Sequence, residues 1–223
     1  MVVIKMVKTR QHLVPSHIAV RVTNGRKNTR KKVCIHETGN KAKGSRADNH
    51  ARLQFNGNSR AASWHWTVDD KEAVQSFTHD YQCWAAGNAK GNNEAIHIEM
   101  CVNIDGDYKK TVQNTAELVA KILKEEGLTV NDVVQHNHYS GKNCPERMRS
   151  TSAPVPWSSF LQMIKANVQP STTSTVSNKI EFNEVDNATA WRVQSGKFTT
   201  REQAIEAAKK SGFSYATIVG TTK

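Results

Sequence analysis

Four short runs along the chain combine β-branched, aromatic and aliphatic residues and read as strands: KVCIH (32–36), SWHWTV (63–68), AIHIEMCV (95–102) and VVQH (133–136). Between the last two, VQNTAELVAKILKEEG sets Val112, Ala116, Val119 and Leu123 at helical spacing, and Gly127 supplies a C-terminal stop. A further helix is predicted after Pro154, with Trp157, Phe160, Leu161 and Ile164 on one face. NHARLQF, around His50, also reads as helical, with His50 in a structural role. Strands and helices alternate, which predicts an α/β body with a central sheet covered by helices.

Residues 166–179, ANVQPSTTSTVSNK, are rich in Ser and Thr and read as a linker. They separate a body at 1–165 from a tail at 180–223. In the tail, WRVQSGKF reads as a strand, and Thr200 with Gln203 forms a capping-box pattern that opens a helix in REQAIEAAKKS. Gly212 ends that helix and YATIVG supplies a second strand. This small α+β module carries no cluster of His, Cys or carboxylates, so its expected job is binding rather than chemistry.

The 37% hydrophobic content suits a globular protein, and no apolar run approaches the ~20 residues a bilayer requires. The opening MVVIKMVKTRQHLV has neither the apolar length nor the cleavage site of a signal peptide, so synthesis in the cytosol without an export signal is expected. Residues 1–32 hold nine Lys or Arg and no acid, within a formal net charge of +11. Such a face calls for a polyanion, and nucleic acid, an anionic membrane or a teichoic acid-bearing wall would each satisfy it. Four widely spaced cysteines are expected as free thiols. Cys34 and Cys101 fall in strand-like runs, whereas Cys144 stands in the loop-like SGKNCPERM, where a thiolate can reach a metal.

Several of the nine histidines sit beside strand ends. His36 ends a strand and precedes the turn-forming ETGN, His136 ends VVQH, and Cys144 follows eight residues later. Two His and one Cys leave the fourth tetrahedral position of zinc open, as a catalytic site requires. His138 is an equal candidate on spacing alone, because residues two apart on a strand point the same way.

The segments VCIHETGN, NHARLQF, SWHWTVDD, GNNEAIHIEMCVNIDGDY and VVQHNHYSGKNCPERM, in this order, resemble the phage and prophage N-acetylmuramoyl-L-alanine amidases, relatives of the peptidoglycan recognition proteins. The likeness spans roughly residues 25–165 and implies a central mixed β-sheet flanked by helices. It implies Zn2+ held by His36, His136 and Cys144, with His138 displaced to a supporting or surface position. It implies Glu99 as the general base, with Glu37 a weaker candidate, Lys142 as the oxyanion stabiliser, and Trp64, His65 and Trp84 along the substrate cleft. Two positions depart from the family pattern, Ala85 where relatives often carry His and His97 where a small residue is usual, and both are expected to alter the pocket. The tail resembles sporulation-related wall-binding repeats. The implied partner is peptidoglycan of a Gram-positive wall, not nucleic acid or membrane, and the implied setting is an endolysin made in the host cytoplasm. The competing readings are a non-catalytic peptidoglycan binder on the same fold and a basic nucleic-acid-binding protein with structural zinc.

Overall fold

The computed structural model describes residues 6–168 and, beyond them, the backbone of three strands at 190–193, 196–198 and 219–221. The chain divides into two compact units, Met1–Val168 and Gln169–Lys223.

The first unit is built on one sheet of six strands: β1 Lys8–Gln11, β2 Lys32–Glu37, β3 Trp66–Val68, β4 Glu72–Gln75, β5 Ala95–Met100 and β6 Val133–Gln135. Their order is β1-β4-β3-β5-β2-β6. β3 and β4 run antiparallel and every other neighbouring pair is parallel, so the sheet is mixed. The helices are α1 Ser16–Val22, α2 Ala47–Phe55, α3 Ala89–Glu94, α4 Tyr108–Glu126, α5 Asn137–Ser140, α6 Glu146–Arg149 and α7 Trp157–Val168. None of the helices among the described residues is long and apolar enough to cross a membrane.

Strand alternation divides the central strands between two environments. Val33 and Ile35 of β2 join Ile96, Ile98 and Met100 of β5 in a buried cluster with Val112, Val119, Ile122 and Leu123 of α4 and Phe160 and Ile164 of α7. The intervening residues, Cys34, His36, His97 and Glu99, therefore face the opposite side. The parallel register sets Cys34 beside His97 and His36 beside Glu99. Helix α4 is bounded as its sequence dictates. The Asp107 side chain accepts from the Lys110 N–H at its start, and Gly127 adopts φ 68° at its end, where its N–H bonds to Leu123.

Some predicted boundaries move. The strand expected from Ser63 begins only at Trp66, because Ser63 donates its N–H to the Trp84 carbonyl and Trp64 donates to Gln54 Oε1, outside the ladder. β1 and β4 were not expected, since KTRQ and EAVQ carry little apolar signal. They are anchored by backbone pairing and by Arg10, which donates from Nε to Glu72 at 2.9 Å. Helix α7 runs through Val168, into the stretch read as linker from residue 166, while 169–179 lie outside the described residues.

In the second unit β7 Ala190–Val193, β8 Gly196–Phe198 and β9 Val219–Thr221 form an antiparallel sheet in the order β8-β7-β9. WRVQSGKF is thus two strands rather than one, paired antiparallel with Val193 opposite Gly196. The helix expected in REQAIEAAKKS lies outside the described residues.

Leu118 of α4 is fully buried in the core of the first unit. Leu118→Ala is expected to cost about 2–5 kcal/mol of stability. A urea titration of the full chain, followed by tryptophan fluorescence, measures the shift in midpoint.

Candidate metal centre

Three side chains far apart in sequence meet at one end of the sheet. His36 lies near the end of β2, His136 follows β6, and Cys144 sits between α5 and α6. β2 and β6 are parallel neighbours with Ile35 opposite Gln135, so the residues that follow leave the sheet side by side. One ligand atom from each of His36, His136 and Cys144 lies within 4.8 Å of the others. The two Nδ1 atoms of His36 and His136 are 3.0 Å apart. A tetrahedral ion with metal–nitrogen bonds of about 2.0–2.1 Å would set them about 3.3 Å apart, so the pair is close to ligating geometry. Cys144 Sγ accepts the Glu37 backbone N–H at 3.4 Å, which ties the last ligand to the residue after the first.

The choice between His136 and His138 follows from where the strand stops. After Gln135 the backbone turns helical, with His136 at φ −53° and ψ −34° as α5 begins. Two-residue alternation no longer applies, and His136 is buried while His138 is exposed.

Burial holds both imidazoles neutral. It lowers the His36 pKa well below its ordinary value, with the nearby His97, His136 and Lys142 adding to the effect, and it lowers that of His136, with Lys142 adding again. A neutral imidazole is the form that offers a lone pair to a metal. The Cys144 thiol is pushed up to about 12 by burial, against the opposing pull of the Glu37 N–H. A bound cation would displace that proton. Two neutral nitrogens and one displaceable thiol proton are donors of the kind that hold zinc with one position open.

Glu99 stands beside this group. Its Oε1 is 4.0 Å from His36 Nδ1, and its Oε2 is buried without a hydrogen-bond partner. Burial pushes its pKa up to about 8, with Lys142 pulling it down and Glu37 pushing it further up. Glu37 has no such freedom: one oxygen accepts the Tyr108 hydroxyl at 2.6 Å and the other the Arg147 N–H at 3.1 Å.

Glu99, His136, Cys144 and Lys142 line a cleft of about 930 Å3, whereas His36 is buried and not part of its lining. Lys142 is otherwise solvent-exposed. Trp64 and Trp84 contribute to the wall. Trp64 is fixed by Gln54 of α2, whose side chain bonds both its N–H and its carbonyl, and its own indole donates to Thr67 Oγ1 at 2.7 Å. His65, expected along the cleft, is not there. It is fully buried, its Nδ1 accepts the His97 N–H at 2.9 Å and its Nε2 faces the Tyr81 carbonyl at 3.0 Å. Trp64 and His65 are consecutive on an extended segment, so facing Trp64 to the cleft turns His65 inward.

Of the two unusual positions, Ala85 lies on the cleft wall, whereas His97 lies beneath it, with Nδ1 3.1 Å from His36 Nε2. Sequence reasoning passed over the cleft residues Thr38 and Gly87 and read His50 as structural. Thr38 Oγ1 and His50 Nε2 are buried without partners, and both residues belong to the lining. Thr38 was within reach of the strand period, two residues past His36, but the period gives no hint that its hydroxyl stays unpaired. Gly87, in the same wall, adopts φ 74°, and a Cβ there would meet Ser140 Cβ at 3.3 Å and His136 Nε2 at 3.9 Å.

Residues 26–147 match the family model for N-acetylmuramoyl-L-alanine amidase. The chain belongs to this amidase family. Among curated members, CwlH of Bacillus subtilis (strain 168) is 39% identical over 141 residues, which are 62% of this chain and 54% of CwlH. XlyA of the same strain is 38% identical over 130 residues, 57% of this chain and 42% of XlyA. The chain thus spans about half the length of the curated amidases it matches. The solved catalytic domain of XlyA aligns with a TM-score of 0.64 at 34% identity, covering 71% of this chain and 99% of that one. A mutant endolysin from Bacillus subtilis aligns at 0.65 and 35%, with the same coverage. The mixed six-stranded sheet with flanking helices is the fold these amidase structures share.

Gly87→Ala is expected to lose about 1–2 kcal/mol, because the left-handed backbone disfavours a side chain and the added methyl presses on Ser140. Chemical denaturation of variant and wild type reads the difference directly.

Proposed function

We propose that this amidase-family chain is a zinc-dependent hydrolase that cleaves the amide joining N-acetylmuramic acid to L-alanine in peptidoglycan, and that it serves as a phage or prophage endolysin. One observation carries the reading: the ligand atoms of His36, His136 and Cys144 converge at a cleft beside the unpartnered carboxylate oxygen of Glu99. The relatives' names, and the endolysin among the aligned structures, support the bond and the setting.

Zinc held by His36, His136 and Cys144 would supply a Lewis acid that polarises the amide carbonyl and acidifies water near neutral pH. Glu99 takes the proton of the attacking water at Oε2 and returns it to the departing amine nitrogen. Its raised proton affinity suits both halves of that exchange, because burial makes the acid form accessible near neutrality. Lys142 brings a positive charge to the carbonyl oxygen as it becomes anionic. Trp64 and Trp84 offer flat apolar walls against which sugar rings or peptide can rest.

The basic front segment favours an anionic wall surface, and the second unit serves as a wall-binding module. Tethering a hydrolase to an insoluble substrate raises its local concentration without any new catalytic group. Synthesis in the host cytoplasm, followed by action on a Gram-positive wall, fits this reading.

Digestion of Gram-positive cell walls by the purified chain is expected to release L-alanine amino termini without new reducing sugar, and a chelator should stop it. New reducing ends in place of amino termini would mean a glycosidase. Cys144→Ser should lose zinc and activity together. Glu99→Ala should keep its zinc and lose turnover by about 10²-fold or more, and full activity in that variant would remove Glu99 from the mechanism.

A further inference from the structure

We propose that His97 is a positioning residue for the metal centre: its Nδ1 accepts a hydrogen bond from Nε2–H of His36, fixing the tautomer whose Nδ1 lone pair faces His136 and Cys144. The inference rests on the metal reading above. His36 touches another imidazole at each end of its ring, His136 at 3.0 Å through Nδ1 and His97 at 3.1 Å through Nε2. A neutral imidazole carries one N–H, so only one of its nitrogens can be a donor. If Nδ1 is to bind a cation, the proton must sit on Nε2. His97 Nδ1 must then accept it, and His97 must carry its own proton on Nε2.

The layer below locates His97 but leaves its Nε2 buried without a hydrogen-bond partner, so the contact with His36 is the one that selects its tautomer. The His97 backbone N–H donates to His65 Nδ1 at 2.9 Å, so the proton of a neutral His65 is on Nε2, facing the Tyr81 carbonyl at 3.0 Å. The His65 and His97 rings stack, with centroids 5.8 Å apart and planes 24° from parallel. His97 is fully buried, and register fixes it beside Cys34 on the face that carries His36. Stacking on His65 and full burial thus place its ring, with the Nδ1 edge toward His36. Partners of this kind orient ligating histidines and raise their basicity, and losing one typically weakens metal binding about 10–100-fold.

The same ring offers a rival arrangement, since Cys34, His36 and His97 also bring one ligand atom each within 4.8 Å of one another. In that case His97 would be a ligand and His36 would bind through Nε2. His136 and Cys144 line the cleft, whereas neither Cys34 nor His97 does, so an ion in the inner group would be closed off from substrate.

The deciding experiment measures zinc affinity of the full chain by competition with a chromophoric chelator, for wild type, His97→Asn, His97→Leu and Cys34→Ser. Asn carries an oxygen near the place of Nδ1 and can accept from His36; Leu cannot. The expected result is near-wild-type affinity for His97→Asn and Cys34→Ser, and affinity about 10–100-fold weaker for His97→Leu. Nitrogen NMR of the zinc-free wild type should find the His36 proton on Nε2. Undiminished zinc binding by His97→Leu, an Asn variant no better than Leu, or a His36 proton on Nδ1 overturns the proposal. So does a large loss in Cys34→Ser, which would place the ion in the inner group. If His97→Leu does not fold, the Asn variant and the wild-type spectrum still decide. A wild type that binds no zinc fails the metal reading itself, whereas a wild type that binds zinc beside an unaffected Leu variant fails only the role of His97.

Discussion

Everything at the centre depends on the parallel register of β2 against β5. With Cys34 opposite His97 and His36 opposite Glu99, one face of two strands carries the first candidate ligand, its imidazole neighbour and the carboxylate. The other face carries Val33, Ile35, Ile96 and Ile98, all fully shielded from water by α4 and α7. Slipping either strand by one residue would send its aliphatic side chains to the polar side and its polar ones into the core. The hydrophobic effect thus sets the alignment of the chemical groups without touching them.

That division also explains what could be read from the sequence. β2, β5, β6 and α4 announce themselves because their apolar residues recur at the period of the element they form. β1 and β4 do not, because KTRQ and EAVQ are short and carry few apolar residues, so pairing with neighbouring strands rather than a local apolar period specifies them. At the site, strand ends and a loop cysteine pointed to His36, His136 and Cys144 as possible ligands, but spacing left His138 open until the chain was seen to turn helical at His136. His65 and His97 were harder still. His65 was read along the cleft and His97 as altering the pocket, and both lie beneath it, because how deep a side chain sits depends on neighbouring strands that the local sequence does not specify. Thr38 went unnoticed and His50 was read only as structural for a related reason, since the lack of a partner is a property of three-dimensional surroundings.

The electrostatics of the centre are those of a place prepared for charge it does not itself contain. His36, His65, His97 and His136 are all driven toward neutrality by burial, and Glu99 and Cys144 toward their protonated forms. Each group alone avoids ionising in a medium that solvates ions poorly. A divalent cation would reverse this for the acids, because thiolate and carboxylate gain the counter-charge that water no longer supplies. Ligand binding and proton release are therefore coupled at this point in the fold.

The hydrogen bond from the Glu37 N–H to Cys144 Sγ joins residues 107 positions apart. During synthesis His36 emerges long before Cys144, and a nascent chain that ends before His136 lacks two of the three candidate donors. The set is completed only when β6 has docked beside β2 and the following loop has folded back over the strand end. Assembly of the centre thus comes late in chain growth, after every strand of the six-stranded sheet has been made.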